Sequence, residues 1–237
     1  MPDLLYPFDA QVRNIDALYG NNTFHVALID NNLAQITVPQ TGVNVSTNAL
    51  VVANDFANNM RVRLSAPAGG VLPEPFNSNP ADTIYYVMSA STTQFLLSLT
   101  RATSVASAIA IDITTQGTGG VIVTEQPLGR DDGDYAVWLR HELVNYQGSV
   151  RQAWTPGGSV YVPSDNATVT VPRVISWYPT NGDLANIRYL AFMKGSGAAP
   201  RTSFGNVDSY IDLVTPQVFR RNTLDGSYSV RVRYAFG

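Results

Sequence analysis

Aspartate apart, the residues able to do acid–base or metal chemistry are few: two histidines (His25 and His141), three glutamates (Glu74, Glu125 and Glu142) and no cysteine in 237 residues. Without cysteine there is no disulfide framework, thiolate zinc site or thiol nucleophile. His141-Glu142-Leu143-Val144-Asn145 opens like the zinc-protease motif, which sets two histidines on one helical face. Its fifth position is Asn145, so the second ligand is missing. Asp131-Asp132-Gly133-Asp134 gathers the hard oxygens that calcium takes, with Glu142 at the twelfth place. The sixth place, which needs glycine for the sharp turn, holds Ala136, and the run reads as a solvated turn. Gly195-Ser196-Gly197-Ala198-Ala199-Pro200 lacks the third glycine of a dinucleotide loop and meets a proline where a helix should start. Neither a Gly-x-Ser-x-Gly elbow nor a phosphate loop ending in Gly-Lys-Ser/Thr occurs. The sequence therefore assigns no catalytic residue, no metal ligand and no cofactor, and the expectation is a protein that is not an enzyme. The one hydrolase reading left open would work through Asp131, Asp134 or Glu142, because paired carboxylates need not be close in sequence.

Binding chemistry is better represented. Trp154, Trp177 and Tyr178 form a candidate platform for stacking on a glycan, although such residues also fill β cores. Fourteen of the fifteen basic residues are arginine, Lys194 being the exception. Arginine is favoured at packed interfaces because its planar fork is weakly hydrated and bonds carboxylates in pairs. Compositional bias of the genome is the alternative explanation. A net charge of -3 and a pI near 5.2 leave no electrostatic footprint for nucleic acid. No run of about 18 apolar residues suggests a membrane span, and Met1-Pro2-Asp3-Leu4-Leu5-Tyr6-Pro7 lacks the basic and apolar regions of a signal peptide.

The elements that must position these residues read as strands. Runs rich in β-branched and aromatic residues include Phe24–Ile29, Ala34–Val38, Ala49–Ala53, Arg61–Leu64, Ile84–Met88, Gln94–Leu99, Ile109–Ile113 and Val121–Thr124. Further runs are Tyr135–Arg140, Val160–Val162, Ala167–Val171, Ile187–Met193, Tyr210–Val214 and Tyr228–Phe236. Turn pairs such as Asn31-Asn32, Gly69-Gly70, Gly119-Gly120 and Asp225-Gly226 punctuate them. A single short helix is expected over Gln11–Leu18, capped by Asp9. The fold class is therefore all-β: two or more small antiparallel sandwich-like or barrel-like domains with an N-terminal arm. The expected segments are an arm and hairpin over 1–40, a small β module over 41–127 and a C-terminal β domain over 128–237.

Strand edges point outward to partners. Monomeric β proteins protect their edges with lysine, inward charge or proline. Here lysine is nearly absent and Gln94–Leu99 carries no charge. In the last strand Val230, Val232 and Tyr234 share one face, and Arg231 and Arg233 share the other, a candidate subunit contact. Tyr6 and Phe8 would suit an arm that docks on a neighbour.

One succession of residues is familiar. Val51-Val52-Ala53-Asn54-Asp55-Phe56, Met60-Arg61-Val62-Arg63-Leu64-Ser65 and Gly70-Val71-Leu72-Pro73-Glu74-Pro75-Phe76 lead into Thr83-Ile84-Tyr85-Tyr86-Val87-Met88. Thr92-Thr93-Gln94-Phe95-Leu96-Leu97-Ser98, Ala110-Ile111-Asp112-Ile113-Thr114-Thr115 and Gly117-Thr118-Gly119 follow. This order, over residues 45–120, resembles a small β module found in virion proteins of tailed bacteriophages. The resemblance implies a structural component of the particle: tail, baseplate, fibre or neck, with capsid decoration as the alternative. It implies a protein assembled in the host cytoplasm that binds copies of itself and other virion proteins. It brings no catalytic residues. A carbohydrate-binding module recognising a host-surface polysaccharide is the alternative from a different class.

Overall fold

The computed structural model describes residues 23–102, 109–129, 135–144, 151–155, 159–162, 167–170, 173–177, 184–194, 207–219, 228–232 and 235–236. It is an all-β fold with one short α-helix among these residues. The chain divides into two compact units: Asn31–Arg140, and a flanking unit of Met1–Asp30 with His141–Gly237. One unit is thus an insertion within the other, and the chain passes between them twice. These divisions fall at 30/31 and 140/141, not at 40/41 and 127/128 as read from the sequence. The reason is strand pairing. Phe24–Asp30 is the first strand (β1), and it hydrogen-bonds with residues far along the chain, whereas its neighbour Gln35–Val38 (β2) joins a different sheet.

In the inserted unit the strands are β2, β3 (Val43–Asn44), β4 (Ala49–Val51), β5 (Arg61–Ser65), β6 (Tyr85–Met88), β7 (Gln94–Ser98) and β8 (Val121–Glu125). They form one antiparallel sheet in the order β2-β8-β5-β6-β7-β4-β3. Its two ends, β2 and β3, run in the same direction and are joined only by Pro39, Gln40, Thr41 and Gly42. That connection spans at most about 18 Å. A flat sheet of this order would be about 29 Å wide. The sheet must therefore roll, with β2 and β3 acting as one kinked strand that bonds β8 on one side and β4 on the other. Two glycines permit the close approach. A Cβ on Gly42 would strike the Val51 carbonyl, and one on Gly120, at φ +92°, would strike that of Val38. Alternation along the strands fills the barrel with Val62, Leu64, Tyr85, Val87, Phe95, Leu97, Val121 and Val123, all buried.

Two expectations fail in this unit. Tyr135–Arg140 is a helix (α1), not a strand. Its adjacent Val137 and Trp138 are both buried, on the side of the helix that faces the core. Ile109–Ile113 joins no ladder, because its donors go elsewhere: Ile111 N–H to the Leu97 carbonyl and Ile113 N–H to Asn48 Oδ1.

The flanking unit holds β1, β9 (Gln152–Trp154), β10 (Ser159–Val162), β11 (Ala167–Thr170), β12 (Arg173–Trp177), β13 (Leu184–Lys194), β14 (Val207–Phe219), β15 (Tyr228–Val232) and β16 (Ala235–Phe236). Its main sheet has the order β14-β13-β1-β9, beside a β12-β15 pair and a β10-β11-β16 sheet. Phe24, Val26 and Leu28 of β1 share a face with Leu190 and Phe192 of β13, in register at Val26↔Phe192 and Leu28↔Leu190. Ile175 and Trp177 of β12 complete that core, so the packing is sheet on sheet. The helix expected over Gln11–Leu18 lies outside the described residues.

Candidate functional site

Arg140, His141 and Glu142 are consecutive, and each finds its own partner. Arg140 ends α1 within the barrel unit. Its Nη2 donates to Asp55 Oδ1 at 2.6 Å, its Nη1 to Glu125 Oε2 at 2.8 Å and its Nε to the Asp55 carbonyl at 3.0 Å. The guanidinium also lies over the Phe56 ring, 5.7 Å from its centroid. Glu125 is buried, and its Oε2 accepts the Ala34 N–H as well, at 2.8 Å. Burial opposes the Arg140 charge, but Glu125 and Asp55 outweigh it and raise its pKa above the ordinary arginine value.

In the flanking unit His141 Nδ1 lies 3.0 Å from Asp30 Oδ1, and the Asp30 N–H donates to the His141 carbonyl at 2.9 Å. Glu142 bridges to Ile29 at the edge of β1. Its two carboxylate oxygens accept Arg151 Nε at 2.7 Å and Nη2 at 2.8 Å, and both side chains are fully buried. This bidentate geometry satisfies the carboxylate. It leaves Glu142 poorly suited to the acid–base role that a hydrolase would need. Asp131 and Asp134, its suggested partners, lie outside the described residues. Among the described residues no three His, Cys, Asp or Glu side chains gather to hold a metal ion.

The expected glycan platform is not a surface. Trp154 is 2% exposed and Trp177 fully buried, both in the core of the flanking unit. Trp154 packs against Phe24 (centroids 5.9 Å apart) and Phe192 (5.3 Å). The sequence could not separate platform from core because both use large aromatics on strands. Tyr178 lies outside the described residues, as do Tyr6, Phe8 and Arg233. Arg231 is described on β15, in register with Val174.

A site that motif reading missed lies in the barrel. Between the end of β5 and the start of β6 is a cavity of about 320 Å³. Leu64, Ser65, Leu72, Phe76, Asn79 and Tyr85 are among its lining residues, none of which is charged. Phe76 meets Tyr85 edge-on, with centroids 5.3 Å apart, and Asn79 Nδ2 donates to the Tyr85 hydroxyl at 3.0 Å. The far wall is fixed by paired bonds between Val71 and Thr118 and by Thr114 N–H donating to the Glu74 carbonyl. The Leu-Pro-x-Pro turn over 72–75, part of this wall, was the only sequence signal. Comparison with known proteins returns no match: no family model, no curated protein and no solved structure is significantly similar to the chain. No helix among the described residues is long and apolar enough to cross a membrane.

Proposed function

We propose that this protein is a non-enzymatic structural component of a tailed-phage particle that works by binding copies of itself and other virion proteins. What supports the reading most is that the described residues of the succession over 45–120 belong to one compact unit, whose rolled sheet has its own apolar core. A unit of that kind can be carried as a module from one particle protein to another. Tail, baseplate, fibre or neck is the proposed position, with capsid decoration as the alternative. The rival readings have lost residues they depended on, Trp154 and Trp177 to the core and Glu142 to Arg151. Fold alone does not fix function, so the reading rests on association. Light scattering on the purified chain is expected to find multimers, and a stable monomer at high concentration would overturn the self-assembly half of the proposal. If the Arg231 face is the contact, Arg231→Ala with Arg233→Ala should lower assembly more than the melting temperature. Loss of folding with assembly intact would remove that assignment.

A further inference from the structure

The β5–β6 ladder ends early. Its pairs are Arg61↔Tyr86 and Val62↔Tyr85, while β5 runs on to Ser65 against β8. Strand parity shows which way the continuing peptide groups point. The Arg61 carbonyl accepts Gln126 N–H on the β8 side, and the Met60 carbonyl accepts Val87 N–H on the β6 side. Peptide groups alternate along an antiparallel strand. Residues 60, 62 and 64 therefore direct theirs toward β6. The residue that would meet Leu64 in that register is Thr83, which precedes β6 and turns its N–H to the Pro80 carbonyl. The N–H and C=O of Leu64 thus open into the 320 Å³ cavity where a strand would otherwise lie.

We infer that this gap is a binding slot for one extended, uncharged peptide segment of a neighbouring protein, added antiparallel to β5. A donor and an acceptor on one extended residue, side by side, are what a partner strand satisfies. The apolar floor of Leu72 and Phe76 would take a side chain of that segment. The Tyr85 hydroxyl, which already accepts from Asn79, keeps its own proton to donate. A lining without charge selects against acidic or basic side chains. The inference deepens the proposed function by naming a partner chemistry, and it rests on that reading.

The test uses the full chain and a random heptapeptide display library. Enriched peptides are expected to be uncharged with alternating apolar residues. Their binding should fall about tenfold when a backbone N–H facing Leu64 is methylated, and be abolished in Ala81→Trp, which fills the slot from an exposed position. An unchanged melting temperature establishes that this variant is folded, and Ala66→Trp is the second blocking variant. No enrichment, or binders indifferent to both blocking variants, overturns the slot. Glycans captured in place of peptides, and lost in the same variants, would overturn the peptide occupant. Light scattering on the same sample reads the wider proposal separately. Multimers without peptide capture remove the slot alone, whereas capture by a strict monomer supports the slot and counts against self-assembly.

Discussion

In the barrel, the buried Glu125 carboxylate shares its oxygen between the Ala34 N–H and Arg140, whose other contacts run to the exposed side chain of Asp55. In the flanking unit, Glu142 and Arg151 meet bidentately with no exposed surface on either. The first arrangement lies wholly within the barrel unit and the second wholly within the flanking unit. They differ in what supports the charge. A carboxylate with a backbone donor keeps one partner if the arginine is removed. The second pair is fully buried on both sides, and burial makes an uncompensated charge far more costly than a missing contact.

The largest expected effect follows from that difference. Arg151→Met should destabilise the flanking unit by about 3–5 kcal/mol, because it takes the paired cation from a fully buried carboxylate. Glu142→Leu added to Arg151→Met should regain most of the loss, since well-packed apolar replacements of a buried pair are often neutral. Denaturant midpoints at constant slope would measure both. Equal losses in the single and double variants would mean that the cost is not that of a buried charge without its arginine. Arg140→Met in the barrel should cost less, about 2–3 kcal/mol, with the Ala34 N–H still on Glu125. Asp55→Ala should cost under about 1 kcal/mol, as befits a carboxylate that is 75% exposed.

Closure of the barrel gives a second comparison, between two glycines that share a positive φ. Gly120 at +92° has the Val38 carbonyl where a Cβ would sit, whereas Gly69 at +75° has open space. Gly69→Ala should therefore show the backbone term alone, about 1 kcal/mol. Gly120→Ala should add the cost of moving β2 from β8, for about 2–3 kcal/mol in all. Unfolding curves of the two variants side by side would check this. Matching losses would argue against a tight seam at Val38.

How far the sequence could be read follows the same physical lines. The strands over 61–65, 85–88 and 121–125 alternate cleanly because one face is core and the other solvent, and that pattern is local. Tyr85 and Tyr86 show it, one buried and one half-buried. The six residues of α1 were misread because so short an apolar run fits either period. The division into units was hidden for a different reason: β1 pairs with β13, over 150 residues away, and pairing partners leave no trace in local pattern. His141-Glu142 was legible as the start of a zinc-protease motif, yet the spatial neighbours of Arg140, His141 and Glu142, which are Glu125, Asp30 and Arg151, come from three different places in the chain. The cavity was the least legible feature, since it is made by a ladder that stops.

The smallest effect separates the units by pH. His25 on β1 is held below the ordinary histidine value of 6.5, first by burial and then by the Arg151 charge. Its Nδ1 has no hydrogen-bond partner among the described residues. The unfolded chain then binds the proton more readily than the folded one, so this contribution is present above pH 6.5 and is lost as pH falls below it. Asn31–Arg140 contains no histidine. Glu74 of that unit is held below its ordinary value of 4.5 by hydrogen bonds from Ser78 and Asn77. The contribution of Glu74 is therefore lost only below pH 4.5. Between pH 6.5 and 4.5, hydrogen exchange at the amides of β1 should quicken relative to the intrinsic rate, while those of β5 hold. His25→Gln should remove that share of the change in β1, and a β1 response unaltered by His25→Gln would assign the acid sensitivity to another group.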